Sequence, residues 1–401
     1  EQWSEFNGII QQLTAPFFYL PGNHDISNEW MRTEWERRFG RSYYYFVCKD
    51  VLFLMLNTEP DSRIGAEQIN YFTRVLKKHR DVKWTLVFMH RPLWDYANKG
   101  GYDALEAELS GRHYTVYSGH YHHYLKAVRH GRRHYVLGTT GGGSELRGER
   151  IGEIDHIMWV TMTPDGPQNA VIILDGILAD TIVTEKTYPM VTALRNENWF
   201  RIKPVVHPGE YFKKLNTSLT LINRAEQPMH ITGTFERLDL EYRPGCVDTL
   251  VAAQEQIDIP IELAAENPVS IRDLQDNLPA VKLNAAYLEK TGDPISLSAS
   301  QKLLMDWRHS CAFSPDPVTV DARLGEWSKT NFLMCKTPQW IKEDWARTGQ
   351  EDSWFRFAVT YDSSHIYIAA EAVDERILTA DSIDHLQDKF IIHFSRCENR
   401  P

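Results

Sequence analysis

The sequence predicts a layered α/β (α+β) domain followed by two all-β domains. Three observations predict it. Up to about residue 185, strand and helix signals interleave early and then give way to hairpins. From Pro204 to Trp307 no long helical period occurs, and short alternating runs are divided by turn residues, as in a β-sandwich. After Ser314-Pro315-Asp316-Pro317 the chain is again rich in strand signals. The expected boundaries are residues 1–190, 204–308 and 317–401, the last incomplete. At about 150 residues per domain, 401 residues fit two or three such units.

Trp3, Phe6, Ile9, Ile10 and Leu13 fall at helical spacing. Phe17 to Leu20 is a short apolar run stopped by Pro21-Gly22, and reads as a strand. Tyr43 to Val47 and Val51 to Leu56 read as strands around a Lys49-Asp50 turn. Ala66 to His79 is an amphipathic helix with Ile69, Phe72 and Leu76 inward. Trp84 to Met89 and Tyr114 to Tyr117 are buried strands. Leu125 to Leu137 divides into two strands at Gly131, and Ile157 to Met162 and Ala170 to Leu174 close the region. Ser218 to Ile222, His230 to Phe235, Val269 to Ile271 and Val281 to Tyr287 are the runs of the middle segment. Phe355 to Thr360 and Ile366 to Ala370 are the clear strands of the last.

Lysine and arginine number 44 against 54 acidic residues, a net charge of -10, which argues against a general nucleic-acid or anionic-membrane binder. With 42% hydrophobic and 24% charged residues the composition is that of a globular protein. No apolar run approaches the roughly 18 residues of a membrane-spanning helix. Five cysteines without a Cys-x-x-Cys pair make a cysteine-type zinc site a poor expectation; a Cys311–Cys335 bridge is one open reading, free thiols the other.

Ten of the sixteen histidines lie in the first 160 residues. Three histidine-bearing loops each follow an expected strand: Gly22-Asn23-His24-Asp25, His90-Arg91-Pro92 and Gly119-His120-Tyr121-His122. Ligands of open α/β sheets collect beyond the carboxyl ends of strands, so the three loops can converge. His120 and His122, two apart, would point the same way in extended chain and could meet two adjacent metal ions. Asn23 and His24, being neighbours, point apart, one to a metal and the other to substrate. His79, His113, His130 and His134 read as polar loop residues, and His123 as a surface residue. His156 is a weaker candidate for a supporting role near the site.

The trio, with Val87-Phe88-Met89-His90-Arg91-Pro92 and Ser118-Gly119-His120-Tyr121-His122 in order, resembles the calcineurin-like metallophosphoesterase superfamily over roughly residues 1 to 185. The Gly65-Ala66-Glu67-Gln68 helix start and the Gly141-Gly142-Gly143 run share the resemblance. It implies a two-metal site with divalent or trivalent ions such as Fe, Mn or Zn. Asn23, His90 and His120 would ligate one ion and His122 the other. Ions about 3.5–4 Å apart would activate a bridging water. His24 would be the general acid, Asp25 would orient a histidine, and Arg91 is a candidate phosphate contact. The family's Asp-x-His and Gly-Asp-x-x-Asp motifs do not occur in this sequence. They are expected upstream of Glu1, so the chain reads as an N-terminally truncated fragment, inactive by itself and with an unpaired edge beside the site.

The last segment resembles family 9 carbohydrate-binding-like modules in Val318-Thr319-Val320-Asp321, Gly325-Glu326-Trp327, Phe357 to Asp362 and Ile366 to Ala369, with Asp321-Ala322 in place of the usual Asp-Gly. That resemblance implies sugar stacking by Trp327 and Trp340, and an extracellular or periplasmic protein. The middle segment reads as a spacer or docking module. The expected activity is hydrolysis of a phosphorylated small molecule or a phosphodiester. The rival is a non-catalytic carbohydrate- or surface-binding protein on a degraded phosphoesterase scaffold.

Overall fold

The computed structural model describes residues 2–59, 61–195, 198–237, 239–288 and 294–308, and beyond these 310–315, 318–321, 323–324, 327, 333–335 and 353–374. The first region runs α1 (Gln2–Ile10), α2 (Glu29–Phe39), β1 (Tyr44–Cys48), β2 (Val51–Leu56), α3 (Ala66–Lys78), β3 (Trp84–Met89), α4 (Tyr102–Glu108), β4 (Tyr114–Ser118), β5 (Leu125–Arg129), β6 (Arg132–Val136), β7 (Ile157–Thr163), β8 (Gly166–Ile173), β9 (Gly176–Ala179) and α5 (Tyr188–Arg195). A six-stranded sheet has the order β1-β2-β3-β4-β6-β5. Its four central strands are parallel; β1 and β5 pair antiparallel at the edges. The parallel strands all end on one side, and the loops after them share that rim.

Helices α3 and α4 supply Phe72, Val75, Leu76 and Leu105 to the same core as Leu52, Leu54 and Leu56 of β2. The β7-β8-β9 sheet joins through Tyr117, whose hydroxyl donates to Asn169, and through Trp84, which lies where a Cβ on Gly166 would sit. An aromatic ladder crosses the sheet from strand to strand: Phe46 on Phe53, Phe53 on Phe88, Phe88 on Tyr117 and Tyr117 on Tyr135, all stacked. Cross-strand aromatic pairs of this kind help hold register.

The expected strand at Phe17 to Leu20 does not form. The segment lies outside every ladder, and Phe17 and Phe18 are nearly half exposed. Its contacts are side-chain ones: Phe18 stacks on Phe46, and the Tyr19 carbonyl accepts from the Tyr44 hydroxyl at 2.7 Å. An apolar run becomes a strand only where a partner pairs its backbone, and none does here. Trp84 to Met89, by contrast, is paired on both sides.

The next region holds β10 (Phe200–Ile202), β11 (Val205–His207), β12 (Tyr211–Ile222), β13 (Met229–Phe235), β14 (Glu241–Arg243), β15 (Cys246–Val251), β16 (Gln256–Ser270), β17 (Ala280–Tyr287), β18 (Ile295–Lys302) and β19 (Met305–Trp307). Two four-stranded sheets, β10-β12-β16-β14 and β15-β13-β17-β18, enclose Leu219, Leu221, Ile231, Leu263 and Leu283. Their core is continuous with that of the first region through Met190, Val191, Leu194, Trp199 and Phe200. The last described strands are β20 (Ala312–Phe313), β21 (Leu333–Cys335), β22 (Ser353–Tyr361) and β23 (Ile366–Asp374). Cys311 is a free, exposed thiol, so the Cys311–Cys335 reading is not met.

Candidate active site

Three loops meet at the carboxyl rim of the parallel strands. The Gly22 N–H donates to Asp25 Oδ2 at 2.8 Å, and Asp25 N–H donates to the Gly22 carbonyl at 3.1 Å, closing the turn that presents Asn23 and His24. Asp25 thereby orients this turn. After β3, His90 packs so close to Gly22 that an added Cβ would meet its ring at 3.0 Å. After β4, the Gly119 N–H donates to the His90 carbonyl at 2.9 Å and joins the second loop to the third.

Polar atoms of the three loops lie close together. Asn23 Oδ1 lies 2.7 Å from His90 Nε2, and His120 Nδ1 lies 3.2 Å from that same nitrogen. His24 and His122 act electrostatically on both His90 and His120. Burial, then the neighbouring His120 and Arg91, hold the His90 pKa down at about 4. Burial followed by Arg91 lowers that of His120. Both rings are thus kept neutral, the form in which imidazole carries a lone pair for a metal. The Gly143 carbonyl, 2.5 Å from His122 Nδ1, can only accept, so Nδ1 carries the proton and, in the neutral ring, Nε2 keeps its lone pair.

The two histidines of the third loop are not on extended chain. His120 has φ 71° and His122 φ 55°, both in the left-handed region, because β4 ends at Ser118 and the chain turns at once. Non-glycine residues pay about 1 kcal/mol or more in this conformation, and such strain gathers at functional sites. His123, expected at the surface, is buried. Its ring stacks between Tyr121 and Tyr188, and its Nε2 lies 3.0 Å from the Tyr188 hydroxyl. His134, expected in a loop, is fully buried inside β6. His156 is buried beside Tyr124 and Gly138, with its Nδ1 near the Ile154 carbonyl.

Arg91 is not a loose surface side chain. Its Nε donates to both oxygens of Glu59, at 2.7 and 2.9 Å, and its Nη1 donates to His120 Nε2 at 2.9 Å. Glu59 was not anticipated. Its side chain is completely buried, and burial pushes its pKa up despite Arg91. The signal for it was the polar run Asn57-Thr58-Glu59, directly after the apolar β2. The end of β2 thus joins the ends of β3 and β4 on the same rim.

The donor set fits three positions around one metal ion: an amide oxygen and two imidazoles. His90 and His120 each fit with one condition. Asn23 Oδ1 can only accept, so the His90 proton sits on Nε2, and Arg91 donates to His120 Nε2, so the His120 proton sits on Nδ1. Ligation through His90 Nε2 and His120 Nδ1 requires each ring to move its proton to the other nitrogen and those contacts to turn aside. Among the described residues no three His, Cys, Asp or Glu side chains gather into a metal-binding group. The third donor here is the Asn23 amide, and none of the three is anionic. In the last region Trp327 is buried with Ala358 and Ala369, so its faces are not open to a sugar. Trp340 lies outside the described residues.

Residues 2–124 match the family model for calcineurin-like phosphoesterases, a span that takes in all three histidine loops. The match supports a phosphoesterase-type hydrolase acting on phosphorylated substrates. No curated protein matches the chain. None of the helices described is long and apolar enough to cross a membrane.

Proposed function

We propose that this chain carries the catalytic face of a metal-dependent phosphoric ester hydrolase. Asn23, His90 and His120 hold one metal ion, His122 ligates a second, and His24 protonates the leaving-group oxygen. The observation that carries this reading is the convergence of Asn23 Oδ1, His90 Nε2 and His120 Nδ1 on one point of the rim. Bound metal would supply an activated water and charge neutralisation at the phosphoryl oxygens. The chain's own residues do the rest. His24 is exposed and adjacent to Asn23, so it can face a bound ester while its neighbour faces inward. Arg91, anchored by Glu59 and hydrogen-bonded to His120, holds a guanidinium on the same rim, where it can meet an anionic substrate. The anionic ligands of a complete site belong, by the family resemblance, to the motifs not found in this sequence. Export to an extracellular or periplasmic compartment is part of the proposal and rests only on the likeness of the last segment to sugar-binding modules.

The test is made on the full gene product. His24→Ala should slow alkyl phosphate hydrolysis by about 10²–10⁴-fold, the range of acid–base groups. A nitrophenyl ester, whose leaving group hardly needs a proton, should slow far less. His120→Ala should harm both esters alike and lower metal content. Equal losses on both esters for His24→Ala, together with lowered metal content, would make His24 a ligand and sink its role as acid. No metal uptake and no turnover by the intact protein would favour the binding-scaffold rival.

A further inference from the structure

We propose that the middle β-sandwich buttresses the active-site rim through helix α5, and that Glu153 is the positioning residue that ties the His122 loop to that helix. The inference rests on reading His122 as a site residue, but its test does not depend on activity.

His122 is held from two directions. On one side its Nδ1 meets the Gly143 carbonyl at 2.5 Å. The loop carrying Gly143 is tied down four residues later, where Arg147 donates to Glu153 through Nε at 2.6 Å and Nη2 at 2.7 Å. The backbones of Gly148 and Glu153 exchange hydrogen bonds at 3.1 and 3.2 Å, so the carboxylate and the turn move together. On the other side is His123, whose ring is held by Tyr188.

Both supports end on one helix. Tyr188 is the first residue of α5 and Arg195 is the last. Arg195 Nε donates to Glu153 Oε1 at 2.9 Å, and its carbonyl accepts from Arg147 Nη1 at 3.3 Å. Helix α5 thus braces His122 fore and aft. The helix itself is backed by the sandwich: β18 lies against α5 and against the Glu149–Ile151 turn, and Met190, Val191 and Leu194 are buried in the shared core.

The chemistry of the node favours positioning over bulk stability. Glu153 is only 4% exposed, and its two arginines outweigh burial to keep it ionised. A buried carboxylate between arginines is seldom more stabilising than apolar packing of the same volume. What it adds is direction, since each guanidinium must meet the carboxylate in a defined geometry.

The test compares Arg195→Met, Arg195→Lys and Asn223→Ala in the whole chain. Asn223 is the control because the side-chain hydrogen bonds it makes stay within the sandwich and none reaches α5; its amide donates to the carbonyls of Gln227, Val251 and Ala252. Hydrogen exchange is read over residues 139–148, and the His122 ring is read from its nitrogen-15 resonances. Arg195→Met should speed exchange in that loop about tenfold or more, the scale of one lost charged hydrogen bond. It should also shift the His122 nitrogens, with partial rescue by lysine. Asn223→Ala should lower the melting temperature while leaving loop and ring as in the wild type. The proposal is overturned if Arg195→Met lowers the melting temperature alone, or if Asn223→Ala disturbs the loop equally. Should Arg195→Met not fold, Arg195→Lys against Asn223→Ala decides by the same criteria.

Discussion

Replacing Gly22 with alanine adds one methyl group where the site is tightest. The new Cβ would stand 3.0 Å from His90 Cε1 and Nδ1 and 3.2 Å from Cγ, whereas ordinary contact begins at 3.4 Å. The ring must therefore retreat by about 0.4 Å. It cannot retreat freely, because its Nε2 already lies 2.7 Å from Asn23 Oδ1. Overpacking of this kind typically costs about 1–3 kcal/mol. Gly22 is not in the left-handed region, so alanine suffers no backbone penalty and regains about 0.4–1 kcal/mol from the unfolded chain. The net expectation is a loss of about 1–2 kcal/mol in urea unfolding. Functional geometry tolerates only about 0.5 Å of error, so affinity for Zn²⁺ or Mn²⁺ by calorimetry should fall about 10–100-fold, as for other residues that support ligands. Gly8→Ala is the counter-experiment. Nothing lies within 4 Å of its Cβ position, and it sits inside α1, so there alanine should stabilise by up to about 1 kcal/mol. Wild-type stability and metal affinity for Gly22→Ala would refute the claim that Gly22 exists to admit His90.

Three other perturbations have defined outcomes. Burial holds the His134 pKa at about 4 against an ordinary 6.5, so the folded state keeps this ring neutral while the unfolded chain takes up a proton. Its contribution is present above pH 6.5 and is lost as pH falls toward 4, by about 3 kcal/mol in all; His134→Gln should flatten the unfolding free energy in that window. Arg91→Met strands the buried Glu59 carboxylate and should cost about 3–5 kcal/mol, most of it recovered when Glu59→Gln is added; a double variant as unstable as the single one would mean that Arg91 acts through packing. Trp327→Ala should lower the melting temperature of the last region without changing retention on polysaccharide columns, since the ring is buried with Ala358 and Ala369; lost retention with unchanged stability would restore its reading as a sugar contact.

Elements with a strong internal pattern were legible in the sequence. The apolar runs Val51 to Leu56 and Trp84 to Met89 are strands at those bounds, and the Ile69, Phe72, Leu76 spacing marks α3. Helix α2 was not legible from periodicity, because only Trp35 of its residues is buried. Its signals were local: Asn28 caps the start through Met31 N–H, and Gly40 ends it in the left-handed region. The likeness of the three histidine loops to the family was readable because their residue types and order carry it. Glu59 was not, because its role depends on sheet order, which sets the end of β2 beside the end of β3. The burial of His123 and His134 is tertiary in the same way; neighbouring residues in sequence do not announce Tyr188 or α4.

The left-handed backbone at His120 and His122 bears on how deletions there are read. Alanine at either position removes the imidazole but keeps a Cβ in a conformation that disfavours one, so its effect mixes lost chemistry with retained strain. Glycine removes the ring and relieves the backbone together. The two substitutions at one position thus bracket the contribution of the ring. Their difference measures the conformational debt that the chain carries to keep each imidazole at the rim.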